Sequence, residues 1–261
     1  MIRLLHLSDI HFGGEHVAAV AAALDYAVRH PVDLTIVTGD VTQFGLAQEF
    51  AAAARWLALL PGARMVIPGN HDSPYFEVIT RLVSPFGRFA ETIGPIDAVE
   101  ASRHGYRVHG ANTARGVQIR MNWSKGAISA NQTRRAADWL DDATPGTLRV
   151  FACHHPLTEV TGGPMTGRVR GGVAAAERLA LARVDLVLTG HVHLPFAHAL
   201  PFGDGKTYAV GASTLSVRLR GAPPGFNLIE ADAETLRVTA LGWTGAQLEP
   251  QKTWGLPRRA G

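Results

Sequence analysis

Short runs of apolar, β-branched residues alternate along the chain with longer alanine-rich runs in which apolar residues recur at helical spacing. This alternation is typical of α/β proteins, in which strands and helices follow one another. A capping-box pattern, Ser129 with Gln132, precedes one of the helical runs. The spacing predicts helices over Glu15–His30, Leu46–Leu60, Ala130–Leu140 and Val173–Ala182.

The strand-like runs are shorter and are bounded by glycine, proline and polar residues. Two runs near the end, Phe226–Glu230 and Thr235–Leu241, predict an antiparallel hairpin. Since no internal repeat or long linker divides the chain, we predict one domain over residues 1–261, built from two sheets with helices outside. The other predicted strands are Arg3–Leu7, Asp33–Val37, Arg64–Ile67, Arg107–Gly110, Leu148–Ala152, Asp185–Leu188 and Thr207–Val210.

Two segments fit this alternation poorly. Residues 161–172 (TGGPMTGRVRGG) form a glycine-rich loop, which we expect to be a mobile substrate loop. Its arginines, Arg168 and Arg170, either clamp a phosphate group or lie in solvent. The tail after about residue 245 carries Lys252, Arg258 and Arg259 and is expected to be a solvated end.

Composition and charge narrow the function classes. The 46% hydrophobic content suffices for a large core, and Cys153 alone cannot form an intramolecular disulfide. The first apolar stretch ends at Asp9, too early for a signal peptide, and other apolar stretches are too short to span a membrane, so we expect a cytoplasmic protein. The net charge of +3 suits a small anionic substrate and predicts no stable nucleic-acid complex; a homodimer stays open.

Five predicted strands end in residues that can bind metal ions. Because the loops at the carboxyl ends of the strands converge in α/β sheets, these side chains are expected to share one edge. Imidazole and carboxylate donors together favour ions such as Mn, Fe, Co or Zn, and the number of donors predicts two ions that share Asp40. The residues are Asp9 and His11, then Asp40, then Asn70, His71 and Asp72, then His154 and His155, and finally His191 and His193.

These motifs, DIH, GD, GNHD, HHP and GHVH in this order, resemble those of the calcineurin-like metallophosphoesterase superfamily. The surrounding sequence is most similar to the small bacterial branch that includes class III cyclic-nucleotide phosphodiesterases. The resemblance implies a four-layer α/β/β/α sandwich, in which two mixed sheets are flanked by helices.

The resemblance also implies a role for each motif residue. Asp9, His11 and His193 would hold one ion, Asn70, His154 and His191 the other, and Asp40 would bridge them. His71 would be the catalytic histidine outside the metal ligands. His155 is the weaker candidate of the adjacent histidines, and Asp72 is expected to orient its loop.

The implied reaction is phosphodiester hydrolysis, for example of cyclic nucleotides, by in-line attack of a hydroxide that bridges two divalent ions such as Mn, Fe or Zn. Glycerophosphodiesters, phospholipid headgroups and phosphomonoesters stay open as substrates. A non-catalytic scaffold on the same fold is a further alternative. Asn112 either faces the site or forms an Asx turn.

Overall fold

A computed structural model describes residues 1–118, 122–159 and 169–259 of the chain, and within them helices and strands alternate as predicted. The helices are α1 (Val17–Arg29), α2 (Ala47–Leu59), α3 (Val78–Val83), α4 (Gly87–Thr92), α5 (Ala130–Asp141) and α6 (Gly172–Leu181). The strands are β1 (Ile2–Leu7), β2 (Leu34–Thr38), β3 (Arg64–Ile67), β4 (Val99–Arg103), β5 (Tyr106–Gly110), β6 (Leu148–Ala152), β7 (Leu186–Thr189), β8 (Phe196–Ala199), β9 (Tyr208–Gly211), β10 (Gly225–Ala231), β11 (Thr235–Trp243) and β12 (Leu248–Pro257).

The described strands form two mixed sheets of six strands each. The first sheet has the order β12-β11-β10-β1-β2-β3, and the second has the order β4-β5-β6-β7-β9-β8. Strands β1, β2 and β3 run parallel in the first sheet, as do β5, β6, β7 and β9 in the second. The prediction of an α/β fold with two mixed sheets is confirmed.

Alternating side chains on the strands separate the core into layers. On β6 and just after it, Val150 and Ala152 face the other sheet, whereas Phe151 and Cys153 face α5 and α6. Helices α1 and α2 cover the outer face of the first sheet in the same way. These three apolar clusters make the four-layer sandwich that the sequence predicts.

The long helices begin and end close to their predicted bounds. Helix α5 starts with the predicted capping box, in which Ser129 Oγ accepts from Gln132 N and Gln132 Oε1 accepts from Ser129 N. Helix α1 begins after His16, whose Nδ1 accepts a hydrogen bond from Ala19 N. Local capping chemistry therefore sets these boundaries.

Five short or polar elements escape the periodicity analysis. Helices α3 and α4 have six residues each, which is too few for helical spacing to show. Strands β4 and β8 lie at the two edges of the second sheet and contain no fully buried residue, so they lack the apolar run that marks the inner strands. Strand β12 contains two prolines and many polar residues, but it pairs with β11 at the edge of the first sheet, where proline is tolerated.

The expectation of a solvated tail is wrong for Arg258 and Arg259, whereas Lys252 is exposed as expected. Residues Leu248–Pro257 form β12, and Arg258 and Arg259 are buried beyond it. Arg259 bonds the Asp204 carboxylate and the carbonyl oxygens of Arg183 and Val184, while Arg258 bonds Gly146 O. A guanidinium can be buried when its N–H groups are satisfied in this way, which composition alone does not reveal.

The predicted substrate loop and the prediction that no segment spans a membrane can each be compared with the structure only within the described residues. Residues 161–168 of the predicted substrate loop lie outside the described residues. Among the described residues, no helix combines the length and apolar character that crossing a membrane requires.

Replacing Arg259 by alanine should lower the free energy of unfolding by roughly 2–4 kcal/mol, because buried acceptors lose their donor. The hydrogen bond from Arg259 also lowers the pKa of Asp204 from 3.8 to about 2, so the ion pair stabilises the fold above pH 4 and is lost as the pH falls toward 2. Urea denaturation from pH 7 to pH 2 measures both effects. Exposed Arg55 supplies the control variant, Arg55→Ala; equal stabilities of the two variants would contradict the anchoring role.

Candidate metal centre

The predicted metal-binding residues of both sheets lie at one edge of the sandwich. They follow the carboxyl ends of parallel strands, as the general rule for α/β sheets predicts. Several groups of their donor atoms lie within 4.8 Å of one another. The residues are Asp9 and His11 after β1, Asp40 after β2, Asn70 and His71 after β3, His154 after β6, and His191 and His193 after β7.

The backbone at this edge is held in an uncommon conformation. A left-handed backbone costs roughly 1–2 kcal/mol for a residue with a side chain and is concentrated at functional sites. Tight turns of this kind aim the side chains back across the ends of the strands. Five predicted ligands in the described chain have positive φ: Asp9 (53°), His11 (52°), Asp40 (51°), His191 (67°) and His193 (56°).

One half of the centre consists of Asp9, His11 and His193, all buried. Asp9 Oδ1 lies 3.1 Å from His193 Nε2 and 3.8 Å from His11 Nε2. Donors that share an ion with bond lengths of about 2.0–2.2 Å stand roughly 3–4 Å apart. The three side chains therefore fit around one cation.

Asp40 joins this half to the other. Its Oδ2 lies 3.2 Å from His154 Nε2 and 3.9 Å from His11 Nε2, so one carboxylate oxygen lies near donors of both halves. The ring centroids of His154 and His191 are 5.2 Å apart. Asp40 therefore lies between the two groups of donors, and its sharing by two ions stays a prediction.

Several donor atoms of the centre are buried without a hydrogen-bond partner among the described residues. An unpaired buried polar atom costs about 1–3 kcal/mol, and more if it is charged. Positive ions at the centre would satisfy these lone pairs together, so the donor set fits divalent metal binding. The atoms are Asp9 Oδ1, both ring nitrogens of His11, Asn70 Oδ1 and His154 Nε2.

Hydrogen bonds outside the donor set orient the ligands. His154 Nδ1 lies 2.7 Å from Thr38 O, and His193 Nδ1 lies 2.6 Å from Arg218 O, so each Nδ1 donates and leaves the Nε2 lone pair for an ion. Asp9 Oδ2 accepts from Ser8 Oγ at 2.6 Å and from His191 N at 2.9 Å. One oxygen of Asp9 is thus fixed while the other faces the centre.

Burial and neighbouring charges set the protonation of the donors. Burial lowers the pKa of His11 and His191 to about 3, so both rings are neutral. Burial raises the pKa of Asp9 and Asp40, but neighbouring histidines lower both pKa values further, and both carboxylates are ionised. Neutral imidazoles and ionised carboxylates are the forms that bind metal ions.

His154 behaves differently from these histidines. Burial lowers its pKa, but the adjacent Asp40 carboxylate raises it more, and the resulting pKa is about 9. A proton on Nε2 therefore serves as the positive partner of Asp40. A divalent cation at the same place would replace that proton, because the two positive charges compete for one carboxylate.

His155 is close to His154 and His191, but hydrogen bonds engage its ring. Its Nδ1 lies 2.9 Å from Thr113 Oγ1, and its Nε2 lies 2.8 Å from Ser124 O. The donor spacing alone would allow His155 as a ligand. Since both nitrogens have protein partners, the geometry favours His154 instead.

Asp72 orients the loop that carries Asn70 and His71. Its carboxylate accepts hydrogen bonds from the backbone of Gly69, Val41 and Thr42 and from the Thr42 hydroxyl. Burial and the charge of Asp40 raise the pKa of Asp72 to about 7. This set of contacts is the loop-orienting role expected from the sequence.

Two glycines before predicted ligands are required by close packing. A Cβ on Gly69 would collide with the Asp40 carboxylate, and a Cβ on Gly190 would collide with Ser8 Oγ and Asp9 Oδ2. Larger residues at these positions would displace the carboxylates from the centre.

His71 lies at the border of the donor set, and one of its ring nitrogens lies within 4.8 Å of donor atoms of His11 and Asp40. Its backbone N–H donates to Asp40 Oδ1 at 2.8 Å, and its ring is edge-on to that of His11, with centroids 4.8 Å apart. Its Nδ1 lies 2.7 Å from Gln43 O, and its Nε2 lies 2.9 Å from Arg218 Nη1. His71 therefore links the predicted ligands to an arginine on another loop.

A pocket of about 450 Å³ opens beside His71. Tyr75 and Trp123 provide aromatic rings, and both are at least one-third exposed. Its size and lining suit an organic substituent next to the donor set. The lining residues are Asn70, His71, Tyr75, Val78, Arg81, Asn122, Trp123 and Ser124.

The predicted substrate residues lie in different environments. Asn112 Oδ1 accepts a hydrogen bond from Ala114 N in an Asx turn, and the residue is buried. Arg170 is exposed, and its backbone bonds Gly126 and Ile128. Arg168 lies outside the described residues. Roles of these three residues in substrate binding stay predictions.

The sequence analysis overlooked Arg218, Tyr75 and Trp123. None of them belongs to a motif, and each reaches the centre through a loop. For Arg218 a signal existed, because its loop follows the predicted strand Thr207–Val210, which corresponds to β9 and runs parallel to β7. The rule about carboxyl ends of strands applies to that loop as well.

Proteins of similar sequence or structure match this chain over nearly its whole length. A probable cyclic nucleotide phosphodiesterase of Synechococcus sp. is 25% identical, and the match covers 97% of this chain and 90% of the relative. The structure also resembles the purple acid phosphatase PPD1 of yellow lupin (Lupinus luteus), with a TM-score of 0.69 and 13% identity. That match covers 98% of this chain but 54% of the phosphatase.

The phosphoesterase Yfce of E. coli is a further structural relative, with a TM-score of 0.51 and 14% identity over 98% of this chain and all of Yfce. These structural matches concern the fold. Residues 2–195, which include all the predicted metal ligands, match the family model of the calcineurin-like phosphoesterases. The chain therefore belongs to the calcineurin-like phosphoesterase family and is a metal-dependent hydrolase of phosphate esters.

Proposed function

We propose that the protein hydrolyses small phosphodiesters, cyclic nucleotides among them, with two divalent cations at the candidate centre. The observation that carries this proposal is the position of Asp40 Oδ2, 3.2 Å from His154 Nε2 and 3.9 Å from His11 Nε2. A single ion would leave part of this buried donor set without a partner. Two ions that share Asp40 would together occupy the donor atoms of both halves of the centre.

Each predicted ligand has a place in this arrangement. The imidazole and carboxylate mixture suits Mn, Fe or Zn. When bound, two such ions polarise phosphoryl oxygens and lower the pKa of water. Asp9, His11 and His193 hold one ion; Asn70, His154 and His191 hold the other; Asp40 contacts both.

The chain itself orients the reacting groups. His71 is fixed by Gln43 O, Arg218 and Asp40, so it is a rigidly positioned group at the edge of the donor set. In the overall reaction water adds to phosphorus and one ester oxygen departs as an alcohol. A diester thereby gives a monoester, and a cyclic diester gives a linear monoester.

Two observations favour nucleotides among diesters. The Synechococcus relative is described as a probable cyclic nucleotide phosphodiesterase. The pocket beside His71 has the rings of Tyr75 and Trp123, on which a planar base can stack. Glycerophosphodiesters, phospholipid headgroups and phosphomonoesters are the alternative substrates, and the first two present no aromatic ring of this kind.

A non-catalytic scaffold is the second candidate function. The only support for a scaffold function is the fold, which also occurs in proteins that are not catalysts. The complete buried donor set argues against it, because a scaffold does not need so many buried polar atoms without partners.

The deciding experiment compares turnover of cyclic nucleotides, glycerophosphodiesters, phospholipids and monoesters by the Mn-, Fe- and Zn-loaded protein. Bis(p-nitrophenyl) phosphate reports general diesterase activity, and plasma mass spectrometry counts the bound metal. We expect two metal equivalents and fastest turnover of a cyclic nucleotide. No turnover of any ester at full metal loading would favour the scaffold.

Asp40→Ala should remove the shared carboxylate and lower bound metal well below the wild-type content. Diester turnover should fall by at least roughly one-hundred-fold, because loss of a ligand exceeds the usual effect of outer contacts. Metal analysis after gel filtration measures the first effect. Asp138→Asn, an exposed change on α5, is the control. Full metal content in the Asp40 variant would exclude the bridging role.

His71→Ala should leave both ions bound and lower kcat by roughly one-hundred-fold, since a rigidly positioned group beside the donor set is lost. Steady-state kinetics on bis(p-nitrophenyl) phosphate, with metal counted in the same samples, checks this. His104→Ala changes an exposed histidine before β5 and should have no effect. If the His71 variant lost both metal ions, His71 would be a metal ligand or a structural residue instead of a catalytic one.

Trp123→Ala should raise KM for cyclic nucleotides about tenfold, because a base loses its stacking surface. KM for glycerophosphodiesters should change little in the same variant. The two Michaelis constants, compared with those of the wild type, test whether the aromatic pocket selects bases. Equal increases for both substrates would remove the argument for nucleotide preference.

A further inference from the structure

Arg218 lies at the same edge as the candidate centre. It belongs to the loop between β9 and β10, and β9 runs parallel to β7 in the second sheet. The loop therefore starts at the carboxyl end of a parallel strand, next to the turn that carries His191 and His193. Neither the motifs nor the relatives assign a role to this arginine.

Backbone contacts hold the loop against predicted ligands of the centre. Thr214 Oγ1 donates to Asp9 O at 2.7 Å, and Leu215 N donates to the same oxygen at 3.2 Å. The carbonyl oxygen of Arg218 accepts from His193 Nδ1 at 2.6 Å. The main chain of Arg218 is therefore held directly by His193, and its loop is held by Asp9, so the side chain starts from a defined position.

The hydrogen bonds of His71 determine its tautomer. An arginine Nη can only donate, so His71 Nε2, 2.9 Å from Arg218 Nη1, must accept with its lone pair. A carbonyl oxygen can only accept, so Nδ1 carries the ring proton and donates to Gln43 O at 2.7 Å. In this state His71 has no proton on Nε2 to give to a substrate. Its ring instead holds the Arg218 guanidinium.

The Arg218 guanidinium has N–H groups that make no hydrogen bond to the described residues and can still bond a ligand. In residues 1–118, 122–159 and 169–259, its one hydrogen bond is to His71, and the side chain is half-buried. Arg81, which lines the adjacent pocket, differs: its Nε donates to Gly116 O, its Nη1 donates to Pro74 O, and its guanidinium lies over the Trp123 ring. Arg81 is occupied by structural contacts, whereas Arg218 still has N–H groups to offer.

We propose that Arg218 binds the phosphoryl oxygens of the substrate and that His71 holds its guanidinium in place for this contact. The inference rests on the proposed phosphoesterase centre and adds a binding residue to it. One guanidinium N–H group bonds His71 Nε2, while others face the phosphoryl group as charge-assisted donors. Phosphate esters and free phosphate share this recognition, because both present anionic oxygens.

Inorganic phosphate is the probe for this contact. Mn-loaded full-length variants Arg218→Ala, Arg218→Lys and Arg218→Gln are compared with wild type for competitive inhibition of bis(p-nitrophenyl) phosphate hydrolysis. We expect the inhibition constant of phosphate to rise about ten- to one-hundred-fold in the alanine and glutamine variants, and less in the lysine variant. The metal content should not change, since the carbonyl oxygen, not the side chain, contacts His193.

The glutamine variant separates binding from folding. It can still donate to His71 Nε2 but carries no charge, so its Tm and metal content should equal those of the wild type while its phosphate affinity falls. Arg220→Ala is the control on the same loop, with an exposed side chain. A double variant with His71→Ala should weaken phosphate binding less than the product of the single effects, because one residue acts through the other.

Wild-type phosphate inhibition in both uncharged variants at full metal content would overturn the proposal. So would equal weakening by Arg220→Ala, or strictly multiplicative effects in the double variant. Calorimetric titration with phosphate measures the same affinity without turnover. If the wild type hydrolyses no ester, the proposed function fails, and the titration still decides whether Arg218 binds phosphate.

Discussion

The structure of the site depends on the attraction between the buried carboxylate of Asp40 and the imidazole of His154, whose Nε2 lies 3.2 Å from Asp40 Oδ2. A buried carboxylate is costly unless charge or hydrogen bonds compensate it. Here a protonated His154 does so, and the backbone of His71 bonds the other oxygen. The left-handed turns and the glycines around the carboxylate are local costs that this arrangement offsets.

The scaffold keeps each ligand in one orientation by fixing its far side. Nδ1 of His154 and His193 donates to a carbonyl oxygen, which leaves Nε2 aimed at the centre. His71 follows the same logic with a different result: its Nδ1 is fixed by Gln43, and its Nε2 receives Arg218. Histidines with similar surroundings thus leave Nε2 free for a proposed ion in one case and bond a guanidinium through Nε2 in the other.

Local patterns sufficed to predict the four long helices, most of the strands and the ligand motifs, because capping, periodicity and ligands after strands are encoded within a few residues. The capping box at Ser129 is an example. Arg218 and β12 depend instead on partners far along the chain, such as His71 for the arginine and β11 for the strand. The burial of Arg259 could not be predicted either, because composition does not show which buried oxygen atoms will accept hydrogen bonds from an arginine.

The end of the chain crosses from one sheet to the other. Strand β12 is the edge of the first sheet, but Arg258 and Arg259 bond residues just before β6, β7 and β9 of the second sheet, at the amino ends of these strands. The two sheets are therefore fastened together opposite the centre. These bonds restrict relative motion of the two sheets at that end. Any separation of the sheets would therefore be larger at the opposite edge, which carries the candidate centre.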